Sequence, residues 1–325
     1  MDRSGVKILE ARVGIESNSR ELLPRFPLGI EVKSLLTDYK EVEEIPYSAR
    51  LDGYISLCED ESAKASYDFS QEKVFFKGPL KRLTEGASDS RFSLWGNQGF
   101  LFRYTLFLLE RSHRIFNFHG CALYHEEKHR LYLVIGGAGS GKTVYLLSGI
   151  EKGLKLYSTE IVHFRLREGD VEWYMGSLVD NVRLGTLAHH FPQFKPKLDV
   201  SDKQDEWETK IALDLSSHKT AQETLANPEV VMVFPRIEEG RDGFLLHPVV
   251  DRRKAAKLLF DNISQKISET VILYDTIPVV GFDDRKLAGV RLNSVNQLAQ
   301  HPKLKMIAAV LTNPYDCWGD LLEIK

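Results

Sequence analysis

The chain has 325 residues, of which 43% are hydrophobic and 27% are charged, so it is long enough for two domains and too apolar to be disordered as a whole. Its 43 basic and 46 acidic residues give a net charge of −3, without the basic excess of a dedicated nucleic-acid-binding protein. The 3 cysteines stand far apart in sequence and predict neither a zinc ribbon nor a disulfide framework.

Residues 1–95 are predicted to form a small, mainly β N-terminal domain. The first residues lack the apolar run of a signal peptide, and no apolar stretch of the chain approaches the ~20 residues of a membrane-spanning helix. We therefore expect a cytoplasmic protein. Alternating segments at 6–13, 51–58 and 74–76 are typical of half-buried strands, and prolines and other turn formers separate them.

A helix and a hairpin are predicted to open a second domain over residues 96–325. Apolar residues recur at spacings of three and four between residues 97 and 114, as on a helix that packs against a core. Segments 119–124 and 131–135 are strand-like, and a charged turn joins them. The second of these strands runs directly into a glycine-rich segment.

The glycine-rich segment is followed by elements that complete a βαβ-like unit. A helix is expected at 143–152, where Gly153 stands at the position of a C-terminal cap, and a short strand is expected at 154–157. Further strands are predicted at 161–166, 171–174, 229–234 and 270–274, helices at 251–266 and 294–300, and a mobile surface loop at 194–208.

The segment Gly136–Thr143 matches the phosphate-binding pattern G-x-x-x-x-G-K-[ST]. Its glycines leave the backbone amides of a tight loop free to converge on a triphosphate, and the following helix adds the positive end of its dipole. Lys142 is expected to reach the β- and γ-phosphates, and the Thr143 hydroxyl is expected to ligate Mg²⁺. The predicted cofactors are therefore ATP or GTP, with Mg²⁺. The expected nucleotide-binding residues are Gly136, Gly137, Ala138, Gly139, Ser140, Gly141, Lys142, Thr143 and Val144.

Two acidic residues are candidates for the carboxylate that phosphoryl transfer requires beside the loop. Glu160 follows the strand after the phosphate helix, where a neighbouring strand would bring it close to the phosphates, and we expect it to hold the metal together with Thr143. Asp275 ends the apolar run 271–274, which has the form of a Walker B strand. It is the alternative metal ligand, and it would fit an NTPase of the switch or motor type.

The segment from His119 to Phe164 resembles the C-terminal catalytic domain of HPr kinase/phosphorylase and its relatives, which share a core with phosphoenolpyruvate carboxykinase. The resemblance rests on His119-Gly120 at the start of a strand, the hairpin, the loop, Lys152-Gly153 and the strand that leads to Glu160. It implies an α/β fold with a mixed α+β sheet around a P-loop core, after a variable N-terminal part. It also implies that His119 lies near the phosphates and the acid, whereas the alternative is a core histidine.

The sequence departs from the family pattern at two acidic positions. The first acidic residue of the family pair deprotonates an acceptor serine, and counting from Lys142 that position is Thr159. A threonine cannot act as a carboxylate base, so Glu160 either takes over this role or serves only the metal. A later metal-binding glutamate of the family has no clear counterpart, and Asp180 is a candidate substitute.

Residues and resemblance together predict an ATP-dependent kinase that phosphorylates a hydroxyl of a protein, a peptide or a small molecule, with serine favoured. The expected catalytic residues are Lys142, Glu160 and His119. A silent nucleotide-binding regulatory module, which Thr159 favours, and an NTPase that uses Asp275 stay open as alternatives. Neither nucleic acid nor a membrane is an expected partner, and a homo-oligomer stays open.

Overall fold

The structure, a computed structural model, describes residues 1–24, 36, 39–70, 73–137, 139–195, 205–238, 243–311 and 318–324. The chain divides into two compact units, Met1–Phe116 with Ile263–Arg291 and Asn117–Asn262 with Leu292–Lys325. Within the described residues, no helix combines the length and the apolar character that crossing a membrane requires. The surface loop expected at 194–208 falls mostly outside the described residues.

The described residues form strands and α-helices of 6 to 17 residues. The strands are β1 Asp2–Ile8, β2 Ala11–Ser17, β3 Glu43–Ile45, β4 Gly53–Glu59, β5 Ser66–Phe69, β6 Lys73–Gly78, β7 Phe116–His125, β8 Arg130–Ile135, β9 Lys155–Ser158, β10 Ile161–Arg167, β11 Asp170–Tyr174, β12 Val179–Arg183, β13 Lys210–Asp214, β14 Thr224–Ala226, β15 Glu229–Ile237, β16 Phe244–Pro248, β17 Val271–Leu273, β18 Ile277–Val279 and β19 Leu304–Leu311. The α-helices are α1 Leu80–Glu85, α2 Phe100–Leu108, α3 Lys142–Glu151, α4 Leu184–His190, α5 Arg252–Ser268, α6 Arg285–Leu298 and α7 Trp318–Glu323. A π-helical turn, Leu109–His113, continues α2, and the helix expected at 294–300 begins earlier, as α6.

The first unit is built on a six-stranded sheet with the strand order β3-β1-β2-β4-β6-β5. Strands β2, β4 and β6 run parallel, whereas β1, β3 and β5 pair antiparallel with their neighbours. The single strand expected at 6–13 is instead a hairpin, because Leu9 has a φ of 53° and turns the chain between β1 and β2. The apolar alternation continues on both sides of this turn and therefore does not reveal it.

Helix α2 contributes aromatic side chains to the core of the first unit. The ring of Phe100 lies 4.8 Å from the ring of Phe76 and 5.7 Å from the ring of Phe282. The hydroxyl of Tyr104 accepts a hydrogen bond from the backbone N–H of Tyr54 at 3.2 Å. The domain boundary expected just before this helix therefore differs from the division in the structure, since α2 packs with the strands that precede it.

The second unit is built on a nine-stranded sheet with the order β14-β11-β10-β7-β8-β15-β19-β16, in which β9 also pairs with β7. Strands β8, β15 and β19 are parallel, whereas β7 is antiparallel to β8, and β16 is antiparallel to β19. This mixture of strand directions, with helices between the strands, confirms the expected mixed α/β class. It also places the carboxyl end of β8, where the glycine-rich segment begins, beside the carboxyl end of β15.

Helix α3 is held close to this sheet along most of its length. A Cβ added at Gly149 would lie 2.2 Å from Cδ1 of Leu123, so only glycine allows this approach of helix and strand. The indole N–H of Trp318 donates a hydrogen bond to the carbonyl oxygen of Tyr145 at 3.1 Å. The helix that follows the glycine-rich loop is therefore fixed against the sheet, and its first residues have a defined position.

Strands β9 and β10 both lie beside β7, and only Thr159 and Glu160 separate β9 from β10 along the chain. The register of β9 on β7 shifts between Ala122 and Leu123. Beyond the shift, the backbone N–H of Gly120 donates to the carbonyl oxygen of Glu160 at 2.9 Å. Such a local irregularity breaks the strict alternation of side chains along a strand, so Thr159 and Glu160 point in directions that the sequence alone does not specify.

Candidate nucleotide-binding site

The glycine-rich loop joins β8 to α3 in a conformation that depends on its glycines. Gly139 and Gly141 have φ angles of 78° and 89°, in the left-handed region that side chains disfavour. A Cβ on Gly141 would also lie 2.6 Å from Cδ1 of Ile237, whereas a Cβ on Gly137 would meet no atom within 4 Å. The loop therefore packs against the end of β15 on one side and leaves its backbone open on another. Ala138 lies outside the described residues.

Two polar side chains of the loop fit a phosphate ligand. The ammonium group of Lys142 donates to the carbonyl oxygens of Gly136 and Gly137 at 2.8 and 3.1 Å. The buried hydroxyl of Ser140 has no hydrogen-bond partner among the described residues, and an unpaired buried hydroxyl is costly unless a ligand pairs with it. The start of α3, at Lys142, adds the positive end of the helix dipole.

Thr143 is hydrogen-bonded to a buried carboxylate, that of Asp180 on β12. The Thr143 hydroxyl donates to Oδ2 of Asp180 at 3.1 Å. Burial raises the pKa of Asp180, and the negative charge of Glu160 raises it further, to about 7. A buried carboxylate beside another acid is suited to receive a cation, because the cation would offset both the burial and the repulsion.

Glu160 forms a pair with His119 at the same site. Nε2 of His119 lies 3.2 Å from Oε2 of Glu160, and the two side chains are 12% and 29% exposed. His119 lies on β7, and Glu160 lies in the interruption between β9 and β10, beside β7. The pair thus joins a carboxylate that is partly exposed to solvent to an imidazole that can orient it.

Thr159 faces into the protein and does not take part in the pair of Glu160 and His119. Its buried hydroxyl lies 2.5 Å from Oγ of Ser177 and donates to the carbonyl oxygen of Val179 at 2.7 Å. The backbone N–H of Glu160 also donates to Oγ of Ser177 at 3.1 Å. Thr159 and Ser177 together hold the turn that presents Glu160.

Asp275, the alternative carboxylate, has the surroundings of a turn residue. It follows β17 in a tight turn, with a φ of 56°, and its Oδ2 accepts a hydrogen bond from Oγ of Ser88 at 2.6 Å. Strand β17 pairs with β18 in a two-stranded sheet, whereas the loop strand β8 belongs to the nine-stranded sheet. A Walker B strand is a strand of the sheet that carries the loop, so the Walker B interpretation of Asp275 has no support in this topology.

The site offers only a few side chains that could bind a metal ion. Within the described part of the chain, no group of three or more His, Cys, Asp or Glu side chains is arranged to hold a metal ion. Magnesium in nucleotide sites is commonly bound through one or two carboxylates, waters and substrate phosphates. The Thr143 hydroxyl with Asp180, and Glu160 as a second carboxylate, fits that mode of binding.

The sequence predicted four of the side chains at this site, which are Lys142, Thr143, Glu160 and His119. It gave Asp180 only as a candidate substitute for the metal-binding glutamate of the family pattern. The signal for Asp180 lay in the segment Val179-Asp-Asn-Val182, because strand alternation places Asp180 on the same face as Val182. Both residues are buried. An aspartate at a buried strand position is unusual and marks a candidate functional residue.

Comparison with known proteins leaves the family of the chain open. No protein-family model matches it, and no curated protein matches it. Among solved structures, the chain is similar to the Hpr(Ser) kinase/phosphatase from Coxiella burnetii, with 11% identity, coverage of 57% of this chain and 89% of that chain, and a TM-score of 0.22. A likeness with so low a TM-score decides neither the family nor the activity.

Proposed function

We propose that the chain is a nucleoside-triphosphate-dependent kinase that transfers a phosphoryl group to a hydroxyl, with serine of a protein or peptide as the expected acceptor. One observation carries the proposal: Thr143 is bonded to the buried Asp180, while a second carboxylate, Glu160, is paired with His119. Two carboxylates in different surroundings beside one phosphate loop allow one to hold a metal and the other to accept a proton.

The loop and the start of α3 would hold the triphosphate of ATP or GTP. Lys142 would exchange the carbonyl oxygens of Gly136 and Gly137 for phosphate oxygens, and the amides of the loop would donate to the remaining oxygens. The Thr143 hydroxyl would ligate Mg²⁺ together with Asp180 or Glu160. When bound, Mg²⁺ neutralises charge that develops on the phosphate oxygens during transfer.

The Glu160–His119 pair would deprotonate the acceptor. Glu160 is the more exposed carboxylate of the two and is presented by a turn that Thr159 and Ser177 fix. It would accept the proton of the attacking hydroxyl, and His119 would keep its carboxylate oriented through the contact at Oε2. In this arrangement the threonine at position 159 does not remove the base, because the base is the following residue.

The decisive experiment measures transfer of labelled phosphate from ATP and from GTP to a panel of serine peptides and small alcohols. We expect acceptor-dependent transfer, which Lys142→Ala lowers by about 100-fold or more, as for other groups that stabilise the transition state. Glu160→Gln should abolish transfer while nucleotide binding is retained. Lys152→Ala, an exposed lysine at the end of the same helix, is the control and should behave as the wild type.

A silent nucleotide-binding module is the second candidate, and Thr159 at the family base position favours it. This candidate predicts nucleotide binding that depends on Lys142, without transfer to any acceptor in the panel. Acceptor-independent hydrolysis that Asp275→Asn abolishes and Glu160→Gln leaves intact would instead support an NTPase. Either result would overturn the kinase proposal.

A further inference from the structure

Asn262 binds the backbone of His119 with both ends of its side-chain amide. Oδ1 of Asn262 accepts a hydrogen bond from the N–H of His119 at 2.9 Å, and Nδ2 donates to the carbonyl oxygen of His119 at 3.0 Å. The two residues are 143 positions apart in sequence, on α5 and β7 of the second unit. Two hydrogen bonds from one planar group fix both the position and the direction of the backbone at His119.

The two bonds lie on the side of His119 where β8 no longer pairs with β7. Strand β7 pairs with β8 as far as Gly120 and Ile135, after which the chain leaves β8 for the phosphate loop. The N–H of Gly120 points away from β8 and donates to the carbonyl oxygen of Glu160, the residue before β10. Backbone groups alternate in direction along a strand, so those of His119 point to the opposite side, beyond the end of β8.

Buried or half-buried backbone groups need partners, and the amide of Asn262 supplies both of them. A side-chain amide has one acceptor and one donor in a plane, as a neighbouring peptide unit does, and therefore replaces the missing residue of β8. Without it, the backbone groups of His119 that face the β8 side would lack these two partners beside the phosphate loop. The bonds thus act at the position where the imidazole meets Glu160 at 3.2 Å.

We infer that Asn262 is a positioning residue of the candidate active site, which acts through His119 on the orientation of Glu160. This inference rests on the proposed function in so far as the His119–Glu160 pair serves transfer. Asn262 does not need to touch nucleotide or acceptor for this role. Its loss should lower the rate of transfer and leave nucleotide affinity largely unchanged.

The test compares Asn262→Ala and Asn262→Asp with an exposed control on the same helix, Asp261→Ala. Asn262→Ala should lower kcat by about 10- to 100-fold, the size expected when a catalytic group is displaced by about 1 Å, with the nucleotide KM within about twofold. Asn262→Asp keeps the acceptor for the His119 N–H and loses the donor, so its kcat should lie between those of the wild type and Asn262→Ala. Asp261→Ala should match the wild type.

A second background separates positioning from general stability. In His119→Ala protein, Asn262→Ala should cause no further loss of kcat, because the residue through which it acts is gone. An equal loss in both backgrounds, or a rise in nucleotide KM that accounts for the whole effect, would overturn the inference.

A spectroscopic readout keeps the inference testable if the proposed function fails. In a nitrogen-correlated NMR spectrum of the imidazoles, His119 should give one sharp, ordered signal in the wild type, and Asn262→Ala should shift or broaden it. Glu160→Gln should move the same signal in the wild type and have little effect in Asn262→Ala. An unchanged His119 signal in Asn262→Ala would overturn the positioning role even in a chain that transfers no phosphate.

Discussion

Two clusters of buried charge, one in each unit, are built in opposite ways. In the first unit, the fully buried Arg291 donates to Oε1 and Oε2 of Glu110 at 2.9 and 2.8 Å, and it donates to Asp283 at 3.0 Å. In the second unit, the buried Asp180 has a hydroxyl from Thr143 and the charge of Glu160 as its neighbours. The first cluster pairs opposite charges, whereas the second brings two acids together.

The pKa of one residue in each cluster, Arg291 and Asp180, reflects this difference. Burial lowers the pKa of Arg291, but the hydrogen bonds and charges of Glu110 and Asp283 outweigh burial and raise the pKa above its ordinary value. Burial raises the pKa of Asp180, and repulsion from Glu160 adds to the effect, while Thr143 and Lys142 oppose it. Loss of Arg291 would therefore leave a buried charge unpaired in the first cluster, whereas loss of one acid would relieve repulsion in the second.

The largest effect is expected from breaking the compensated cluster. Arg291→Met leaves the buried Glu110 without its counter-charge, and loss of one partner of a buried pair costs about 3–5 kcal/mol. Chemical denaturation should show this loss, and hydrogen exchange should rise along the turn Leu109–His113. Arg285→Met, on the exposed side of the same helix, is the control and should change the free energy of unfolding by about 0.5 kcal/mol or less.

A matched double variant sharpens this result. Arg291→Met with Glu110→Met removes both charges and should recover a large part of the stability that Arg291→Met loses. If the single variant loses about 1 kcal/mol or less, or the double variant is no more stable than the single one, Arg291 and Glu110 are not a compensating pair in the folded protein.

A third buried group, His163 on β10, is held neutral and extends the comparison. Burial lowers its pKa from the ordinary value of 6.5 to about 3. The unfolded chain therefore takes up a proton as the pH falls below 6.5, while the folded chain does so only near pH 3, so stability is lost between these limits. The expected loss between pH 7 and pH 5 is about 2 kcal/mol.

Measured free energies of unfolding at both pH values, in wild type and in His163→Phe, test this expectation. The variant should lose about 2 kcal/mol less than the wild type on acidification, whereas His190→Gln, at an exposed histidine, should leave the difference unchanged. An equal acid sensitivity in all three proteins would show that His163 is not the responsible group.

In the uncompensated cluster, removal of a charge should raise the free energy of unfolding, whereas in the first cluster it lowers the free energy of unfolding. Above pH 7, folded Asp180 carries a buried charge that the unfolded chain carries at no cost, because its folded pKa is raised. Asp180→Asn removes this charge and keeps an acceptor for Thr143, so we expect a gain of about 1–2 kcal/mol at pH 8 that disappears near pH 4. Calorimetry should at the same time show weaker binding of the magnesium–nucleotide complex.

A loss of stability in Asp180→Asn at pH 8, with unchanged nucleotide binding, would contradict the contrast between the two clusters. Glu160→Gln offers the matched change on the other acid of the site. It should change the free energy of unfolding less than Asp180→Asn does, because Glu160 is more exposed and its charge is better solvated.

Local features of the site were predictable from the sequence. The loop, its helix and the strands around Gly120 follow from glycine spacing and apolar periodicity, which act over a few residues. The hairpin and the βαβ-like unit bring Lys142, Thr143, Glu160 and His119 to the same end of the sheet, and their roles in binding and transfer stay a prediction. These elements are close in sequence, so few alternatives for their arrangement exist.

Long-range features were not predictable in the same way. The bond between Thr143 and Asp180 spans 37 positions, and the bond between Asn262 and His119 spans 143, so no local pattern specifies either of them. The return of residues 263–291 to the first unit is also a long-range event, which places Asp275 in a hairpin there. Propensity and periodicity describe segments, whereas partners are selected by the packing of the whole chain.

The smallest expected change in stability is that of a Thr159 variant, which distinguishes a structural role of this residue from a catalytic one. Thr159→Val keeps the shape of the side chain and removes its hydrogen bonds with Oγ of Ser177 and the Val179 carbonyl oxygen, at a total cost of about 1 kcal/mol. Because Ser177 still accepts a hydrogen bond from the Glu160 N–H, and Glu160 rather than Thr159 faces His119, transfer should stay within about twofold of the wild type. Parallel thermal unfolding and transfer assays measure both quantities. A variant that unfolds like the wild type but transfers no phosphate would place the reacting group at residue 159 and remove Glu160 from that role.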